Sequence, residues 1–411
     1  MSFEGSIYLA TYLIEFFVLF YLEYKTWETF YTPLNLLMFP YTLVLIITVL
    51  LTGGSTGLTE FYYPSIFVWN VGLLLFAIPS FALGYCLKTN GMSMKSPFPP
   101  EHLPRILVVL AVLLAVLFMY HIWSMLGSSS EALGSDEFGE DFSGGGLWGH
   151  LRQLTIPLLI MSIYFVSKRR WWLWPIIIVF LVVSVLNQVK GWIIIPVLAA
   201  IAMRLYTGKT KLTIRLVVYA LLGAFSVFFL SYALSILFVQ SRGVSNEFME
   251  FIFGHFLHYL TSGTLGFSID AQLGFPDVGD FEKLWCPVVN IINVIAGNED
   301  FMSPVNPYYY NTGINNTNVR TLFGTIFINS SILEFVVYTL MLSCLFYGLK
   351  LAADKLGNVY LYVIYFFECG LLAMGWFEFY FFHLIALELP VLVIILWLLD
   401  WCLRDNARFV V

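Results

Sequence analysis

Long apolar runs separated by short polar connections occupy most of the chain. The hydrocarbon core of a bilayer is about 30 Å thick, and a helix needs roughly 20 apolar residues to cross it. Each run is predicted to be helical, because a helix satisfies its own backbone groups without water. The pattern predicts about eleven transmembrane helices, at Ile7–Leu22, Pro33–Leu51, Ile66–Leu87, Ile106–Leu126, Leu151–Val166, Trp171–Leu186, Trp192–Leu205, Leu212–Val239, Phe327–Leu349, Val359–Met374 and Leu384–Leu399.

Two polar connections interrupt this rhythm. Ser128–Gly146 is rich in Gly, Ser and acidic residues and is predicted to be a loop, with or without a function. The stretch 240–325 is far longer than an ordinary connection. Its apolar segment Phe248–Phe267 contains two histidines and predicts a re-entrant or interfacial helix. We therefore expect an all-α polytopic membrane protein, in which residues 1–411 form a single transmembrane domain with one large extracytoplasmic loop.

Composition supports the membrane assignment. The chain is 60% hydrophobic and 11% charged, whereas a soluble domain has about 25% charged residues. Its mean hydropathy is +0.84, which excludes a water-soluble fold. The five cysteines lie far apart and form no CxxC motif, so we expect neither a disulfide framework nor a zinc site. The N-terminus lacks the features of a cleaved signal peptide, so we expect the first apolar run to be retained.

The lysines and arginines are distributed unequally between the two predicted sides of the membrane. Alternate connections hold 15 of the 20 lysines and arginines, and the positive-inside rule makes that side cytoplasmic. The N-terminus is then expected outside and the C-terminus inside. The fifteen are Lys25, Lys88, Lys95, Arg105, Lys168, Arg169, Arg170, Arg204, Lys209, Lys211, Arg215, Lys350, Lys355, Arg404 and Arg408.

The five remaining basic residues face outwards against this bias. They are Arg152, Lys190, Arg242, Lys283 and Arg320. Cations around an outward-facing cavity suit an anionic lipid-linked diphosphate, because guanidinium groups donate two hydrogen bonds to phosphate oxygens. The alternative is that each side chain only extends to lipid headgroups.

Histidines are also concentrated on the predicted outer side. His255 and His258 are three residues apart and share a helix face, and an ordinary imidazole, with a pKa of about 6.5, can act as a base near neutral pH. Glu378 and His383, in one short outer connection, form a second candidate acid/base pair. Among the histidines we favour His258. An ordinary interfacial role is the alternative for each histidine, and we predict no metal site.

Carboxylates within the predicted spans support a rival interpretation. Glu15, Glu368 and Glu388 lie in apolar runs, and intramembrane carboxylates often mark proton pathways in transporters. No nucleotide-binding motif accompanies them: Gly208–Thr210 imitates the end of a P-loop, but Met203 stands where the first glycine is required. An enzyme of this kind would therefore need a substrate that is already activated.

The segment Asn315–Ser331, NNTNVRTLFGTIFINSS, is the most specific feature of the sequence. With the many spans and the late outer loop, it resembles the Wzy-type oligosaccharide repeat-unit polymerases, which are similar in architecture to the O-antigen ligases. The resemblance lies in the run Asn318–Gly324, although Asn329 stands where an Asp is common. Lys190–Gly191 would correspond to a small–Arg motif in an earlier outer turn.

The resemblance implies a membrane glycosyltransferase of the bacterial inner membrane. Such an enzyme transfers a growing glycan from undecaprenyl diphosphate onto a lipid-linked repeat unit at the outer face, with no cofactor. A flippase and a chain-length regulator would be its partners, and nucleic acid would not. The implied base is one of His258, His255, Glu378 or His383. The implied substrate-binding residues are Arg242, Arg320, Lys190, Arg152 and the tyrosines Tyr308, Tyr309 and Tyr310, of which we favour Tyr309.

Two alternatives remain from the sequence. One is an O-antigen ligase, which attaches a finished glycan to another acceptor. The other is a lipid or solute transporter of the flippase type, whose polar groups should lie at the bilayer midplane. In this chain the polar groups are predicted on the outer side.

Membrane orientation can be tested by cysteine labelling. A cysteine at Ser245 should react with an impermeant reagent from the extracytoplasmic side, and one at Lys209 only from the cytoplasmic side. The opposite pattern would overturn the orientation and the site assignments that depend on it.

Overall fold

The protein is described here by a computed structural model. It describes residues 3–52, 56–89, 103–128, 142, 146–186, 191–234, 246–275 and 279–406. Helices account for nearly all of the regular structure in these ranges. They are α1 Phe3–Trp27, α2 Pro33–Leu51, α3 Ile66–Thr89, α4 Arg105–Ser128, α5 Leu147–Phe165, α6 Leu173–Leu186, α7 Gly191–Tyr206, α8 Ile214–Leu234, α9 Asn246–Gln272, α10 Cys286–Ala296, α11 Leu322–Ile328, α12 Ile332–Leu356, α13 Val359–Ala373 and α14 Ile385–Asn406.

Six stretches among the described residues are helical, long and apolar enough to cross a membrane. Exposed apolar side chains occur on each of them, as lipid contact requires. This confirms the all-α membrane class predicted from the hydropathy pattern. The six are Phe3–Trp27, Pro33–Leu51, Tyr63–Lys88, Arg105–Met125, Ile332–Leu356 and Ile385–Leu403.

The predicted span Phe327–Leu349 was wrong at its start. Helix α11 ends at Ile328 and α12 begins only at Ile332. The cause is a capping box: the Ser331 backbone N–H donates to Glu334 Oε2 at 2.8 Å, and the Glu334 N–H donates to Ser331 Oγ at 3.4 Å. These reciprocal bonds begin a new helix inside a run that hydropathy alone reads as continuous.

The stretch 240–325 contains more regular structure than one helix. The predicted segment Phe248–Phe267 lies within α9, which has 27 residues. The short helix α10 follows, and a two-stranded antiparallel hairpin pairs β1, Tyr310–Asn311, with β2, Asn316–Thr317. The hairpin leads directly into α11.

The chain divides into two compact units. The first comprises residues 1–96, 253–355 and 368–386, and the second comprises 97–252, 356–367 and 387–411. Each unit draws on three separate stretches, so the sequence contains no single linker from which the division could be predicted.

In the first unit, a buried aromatic group supports α11. Tyr41 and Trp69 are stacked with ring centroids 3.3 Å apart, and Phe323 meets Trp69 edge-on at 4.8 Å. Trp69 Nε1 donates to Thr321 Oγ1 at 2.9 Å. The same hydroxyl oxygen accepts the Gly324 N–H and caps α11. The start of α11 is therefore fixed by a side chain of α3.

A buried polar network joins α1, α3 and α12 of the first unit. Glu23 accepts hydrogen bonds from Ser80 Oγ at 2.6 Å and from the Tyr347 hydroxyl. Ser80 Oγ in turn accepts from Trp27 Nε1 at 2.8 Å, and the Tyr347 hydroxyl accepts the Leu34 N–H at 3.2 Å. Buried polar groups are costly without such partners, so the network specifies how these helices pack.

In the second unit, Arg204 caps the C-terminal end of α5. Its Nη1 lies 2.9 to 3.0 Å from the carbonyl oxygens of Ile163, Tyr164 and Val166. Lys209 lies over the Tyr164 ring, 3.8 Å from its centroid. Cations at a helix C-terminus satisfy free carbonyls and interact favourably with the helix dipole.

The Glu23 network predicts a stability effect. Tyr347→Phe should lower the free energy of unfolding by about 1–3 kcal/mol, because the Glu23 carboxylate and the Leu34 N–H each lose a buried partner. Thermal unfolding of the detergent-solubilised protein measures the change. Tyr120→Phe is the matched control, since Tyr120 is 70% exposed and should leave the midpoint unchanged. Equal midpoints for the two variants would contradict the role of the network.

Candidate functional site

One face of α9 organises the candidate site in the first unit. His258, Ser262, Gly266 and Asp270 follow one another at intervals of four residues, so they line one side of the helix. All four are buried or have no exposed side chain. Segments 310–322 and 374–379 pack against this side, and both contain candidate site residues predicted from the sequence.

His258 holds the hairpin. Its Nδ1 lies 3.2 Å from Thr312 Oγ1, and the Thr312 hydroxyl donates its proton to the Asn315 carbonyl oxygen at 2.8 Å. Since that hydroxyl can then only accept, the network assigns the imidazole proton to Nδ1 and the lone pair to Nε2. The Thr312 carbonyl oxygen accepts the Thr59 N–H at 2.9 Å, so the hairpin is held from two sides.

The sequence predicts an ordinary imidazole at His258, and the structure differs. Burial is the main cause that lowers the pKa of His258, the neighbouring His255 lowers it as well, and together they bring it to about 4. Burial disfavours the charged form, because an imidazolium loses its hydration there. His258 is therefore neutral at pH 7, and it is a weaker base than an exposed histidine. His255 is partly exposed.

Arg320 forms a buried ion pair with Asp270. Guanidinium Nε binds one carboxylate oxygen, and Nη2 lies 3.4 Å from the other. The two side chains are 1% and 5% exposed. Arg320 Nη1 also donates to the Val319 carbonyl oxygen at 3.0 Å, and the guanidinium lies over the Tyr310 ring, 4.6 Å from its centroid. The predicted outward cation thus has its charge neutralised within the protein.

Two glycines of α9 allow the close approach of other segments. A Cβ at Gly266 would lie 3.1 Å from Arg320 Nη1 and 2.5 Å from the Val319 carbonyl oxygen. A Cβ at Gly263 would lie 2.6 Å from the Trp376 carbonyl oxygen. Glycine is required at both positions because the facing atoms are mainly backbone, which cannot move aside easily.

The turn that contains Glu378 and His383 is anchored to the same unit. The Gly375 carbonyl oxygen accepts the Leu322 N–H at 2.7 Å, and the Phe377 ring stacks on Tyr259 at 5.9 Å. His383 Nε2 lies 3.7 Å from Glu378 Oε1, with the side chains 30% and 24% exposed. The structure thus brings this predicted pair together, within reach of solvent.

The tyrosines of the hairpin segment have different environments. Tyr308 and Tyr309 are exposed, whereas Tyr310 contacts Arg320. Tyr308 and Tyr309 can therefore offer a ring to a bound molecule.

Arg152 lies in the second unit, on α5. His150, on the same helix, places Nδ1 2.6 Å from Glu388 Oε1 of α14, and Arg152 lies close enough to Glu388 to interact electrostatically. This pair could not be predicted from the sequence, because its members are 238 residues apart. Lys190 and Arg242 lie outside the described residues.

Asp270 and Thr312 belong to the site but were not predicted from the sequence. Asp270 carried a usable signal, since it continues the four-residue interval that begins at His258. Thr312 carried none, because its role depends on the fold of the hairpin. Within the described part of the chain, no group of three or more His, Cys, Asp or Glu side chains could hold a metal ion.

The fold and this site define an α-helical membrane protein with a polar centre built on one long helix. The chain belongs to a protein family described as a family of unknown function (DUF6337), which it matches over residues 57–406. The matched region contains all of the candidate site. Neither a curated protein nor a solved structure matches the chain.

The Arg320–Asp270 pair predicts a large effect on stability. Asp270→Ala should destabilise the protein by about 3–5 kcal/mol, because it leaves a buried guanidinium without its counter-charge. Combining Asp270→Leu with Arg320→Met should recover most of that loss, since neither charge then remains buried. Thermal unfolding in detergent measures both. Glu282→Ala, at an exposed glutamate, is the control, and a single Asp270 variant as stable as this control would refute the interpretation.

Proposed function

We propose that this protein is an oligosaccharide repeat-unit polymerase. It transfers a growing glycan from undecaprenyl diphosphate onto the next lipid-linked repeat unit at the outer face of a bacterial cytoplasmic membrane. The proposal includes about eleven spans, an external N-terminus and loop 240–325, and a cytoplasmic C-terminus. One observation carries it: the segment Asn318–Gly324, on which the family resemblance rests, packs against the helix face that contains His258 and Asp270.

The proposed reaction needs a base and a binding site for a leaving diphosphate. The acceptor hydroxyl oxygen forms a bond to the anomeric carbon, and the bond from that carbon to the diphosphate oxygen breaks. The electron pair leaves with the diphosphate, and the hydroxyl proton passes to the base. The sugar is already activated by its lipid diphosphate, so no nucleotide takes part.

Glu378, positioned by His383, is the base in this proposal. The pair is partly exposed, so an acceptor hydroxyl can reach it. The sequence favours His258 among the histidines, but this side chain is buried against the hairpin, out of reach of an acceptor hydroxyl. His258 instead positions the hairpin through Thr312. His255 remains a second candidate base because it is partly exposed.

The leaving diphosphate is assigned to cations other than Arg320. Asp270 already neutralises Arg320, so a diphosphate could bind there only by separating a buried ion pair. In our proposal, Arg242 and Lys190 bind the leaving diphosphate. Arg320 instead holds the segment Asn318–Gly324 against α9. The exposed rings of Tyr308 and Tyr309 offer stacking surfaces for sugars.

Deletion of the gene tests the proposal and separates it from its alternatives. If the protein is a polymerase, surface glycan should lose its ladder of lengths on a gel and retain a single repeat unit. Accumulation of long lipid-linked chains would identify a ligase instead. An unchanged ladder would refute both enzyme assignments.

Variants of the site extend this test. In the complemented deletion strain, Glu378→Gln should abolish the ladder while the protein level stays normal, because glutamine cannot accept the proton. Glu282→Gln, at an exposed glutamate, should restore the full ladder. His258→Gln should shorten the ladder and lower the melting temperature together, as expected of a positioning residue. A full ladder with Glu378→Gln would overturn the assignment of the base.

A further inference from the structure

Helix α10, Cys286–Ala296, has an apolar face that the rest of the described protein leaves uncovered. Val288, Ile291, Ile292 and Ile295 recur at the spacing of one helix face. Ile292 is 58% exposed and Ile295 is 81% exposed. These four apolar residues form one continuous exposed patch, which differs from apolar residues that are scattered singly over a surface.

The opposite face of α10 is fixed to the chain that follows it. Asn290 Nδ2 donates to the Met302 carbonyl oxygen at 2.9 Å, and the Met302 N–H donates back to Asn290 Oδ1 at 2.8 Å. Asn293 Nδ2 donates to the Asp300 carbonyl oxygen at 2.7 Å. These three bonds prevent the helix from turning its isoleucines inwards.

A short turn places α10 at a defined level of α12. The turn Phe281–Trp285 runs directly into α10. Its Leu284 carbonyl oxygen accepts from the Tyr338 hydroxyl at 3.3 Å, and the Trp285 ring lies 5.3 Å from that of Tyr338. Tyr338 is in the second turn of α12, about 9 Å along the axis from Ile332.

This level lies near one end of a candidate membrane span. Helix α12 is one of the helices able to cross a membrane, and its first residues, Ile332 and Leu333, are apolar and exposed. Lys283 and Trp285 precede α10, and tryptophan and basic residues are enriched where headgroups meet acyl chains.

We propose that α10 is a membrane-surface helix, which lies in the plane of the bilayer with its isoleucine face among the lipid headgroups and upper acyl chains. A bilayer is the occupant because the turn before α10 contacts a candidate span within two turns of its first residue. The amphipathic stripe has the form that interfacial helices use.

Lipid anchoring of α10 also bears on the candidate site, a consequence that rests on the proposed function. Helix α10 packs against the turn Tyr380–Phe382, which directly precedes His383. Anchoring α10 therefore holds Glu378 and His383 at the depth where a lipid-linked diphosphate presents its sugar.

Spin labelling tests the lipid contact without any assay of activity. The full chain, with Cys86, Cys344 and Cys402 changed to serine, is labelled at Ile295→Cys and reconstituted into liposomes of phosphatidylethanolamine and phosphatidylglycerol. Collision rates with oxygen, which concentrates in lipid, and with a water-soluble nickel chelate are compared. Glu299→Cys is the matched control, since Glu299 is exposed a few residues later. Melting of each variant checks that the fold is retained.

The expected ratio of oxygen to nickel collisions is several-fold higher at residue 295 than at residue 299. Equal ratios, or a nickel rate that dominates at both sites, would overturn the proposal. Spin–spin broadening at residue 295 that disappears on dilution with unlabelled protein would identify a second copy of the chain as the occupant and would also overturn it. Because the readout is physical, failure of the polymerase assignment leaves the lipid contact standing.

Discussion

The ion pair between Arg320 and Asp270 is the interaction on which the candidate site depends. It joins the end of α9 to the residue that precedes the cap of α11, and it is almost completely removed from solvent. Such a pair is expensive to bury, and it is tolerated only when the geometry is good and the remaining donors are satisfied. Here Arg320 Nη1 donates to the Val319 carbonyl oxygen, and the Arg320 guanidinium plane lies over the Tyr310 ring. The cost is therefore offset locally, and the pair fixes one register between α9 and the hairpin.

Small residues make that register possible. Gly266 lets the Val319–Arg320 backbone lie against α9, and Gly263 does the same for the chain that leads to Glu378. The helix thus brings two distant segments together without side chains between them. Close backbone approach through glycine is common where helices pack in membranes. In this protein the same helix also positions the partly exposed groups. His255 lies on α9 itself, and Glu378 and His383 lie on a turn that α9 holds.

The class of fold was predictable from the sequence, because hydropathy and helix formation depend on local composition. Boundaries failed where a local hydrogen-bonding motif overrode hydropathy, as in the Ser331–Glu334 capping box between α11 and α12. The pairing of Glu378 with His383 was predictable because the two are neighbours along the chain. The neutralisation of Arg320 was not, since Asp270 lies 50 residues away and only the folded helix brings it close. The low pKa of His258 was hidden for the same reason: it depends on burial, which a single sequence does not report.

The interleaving of the two units has a consequence for synthesis. Glu23 finds its partner Tyr347 only after 324 further residues have been made. At about 5–20 residues per second this takes roughly 20–60 s. During that interval α1 already carries a carboxyl group that its final neighbours do not yet cover, and the Leu34 N–H has no acceptor from α12. The nascent chain must therefore be shielded at the insertion machinery, or keep this end of α1 at the membrane surface, until α12 arrives. The polar network that later specifies helix packing thus sets a minimum time before the first unit can close.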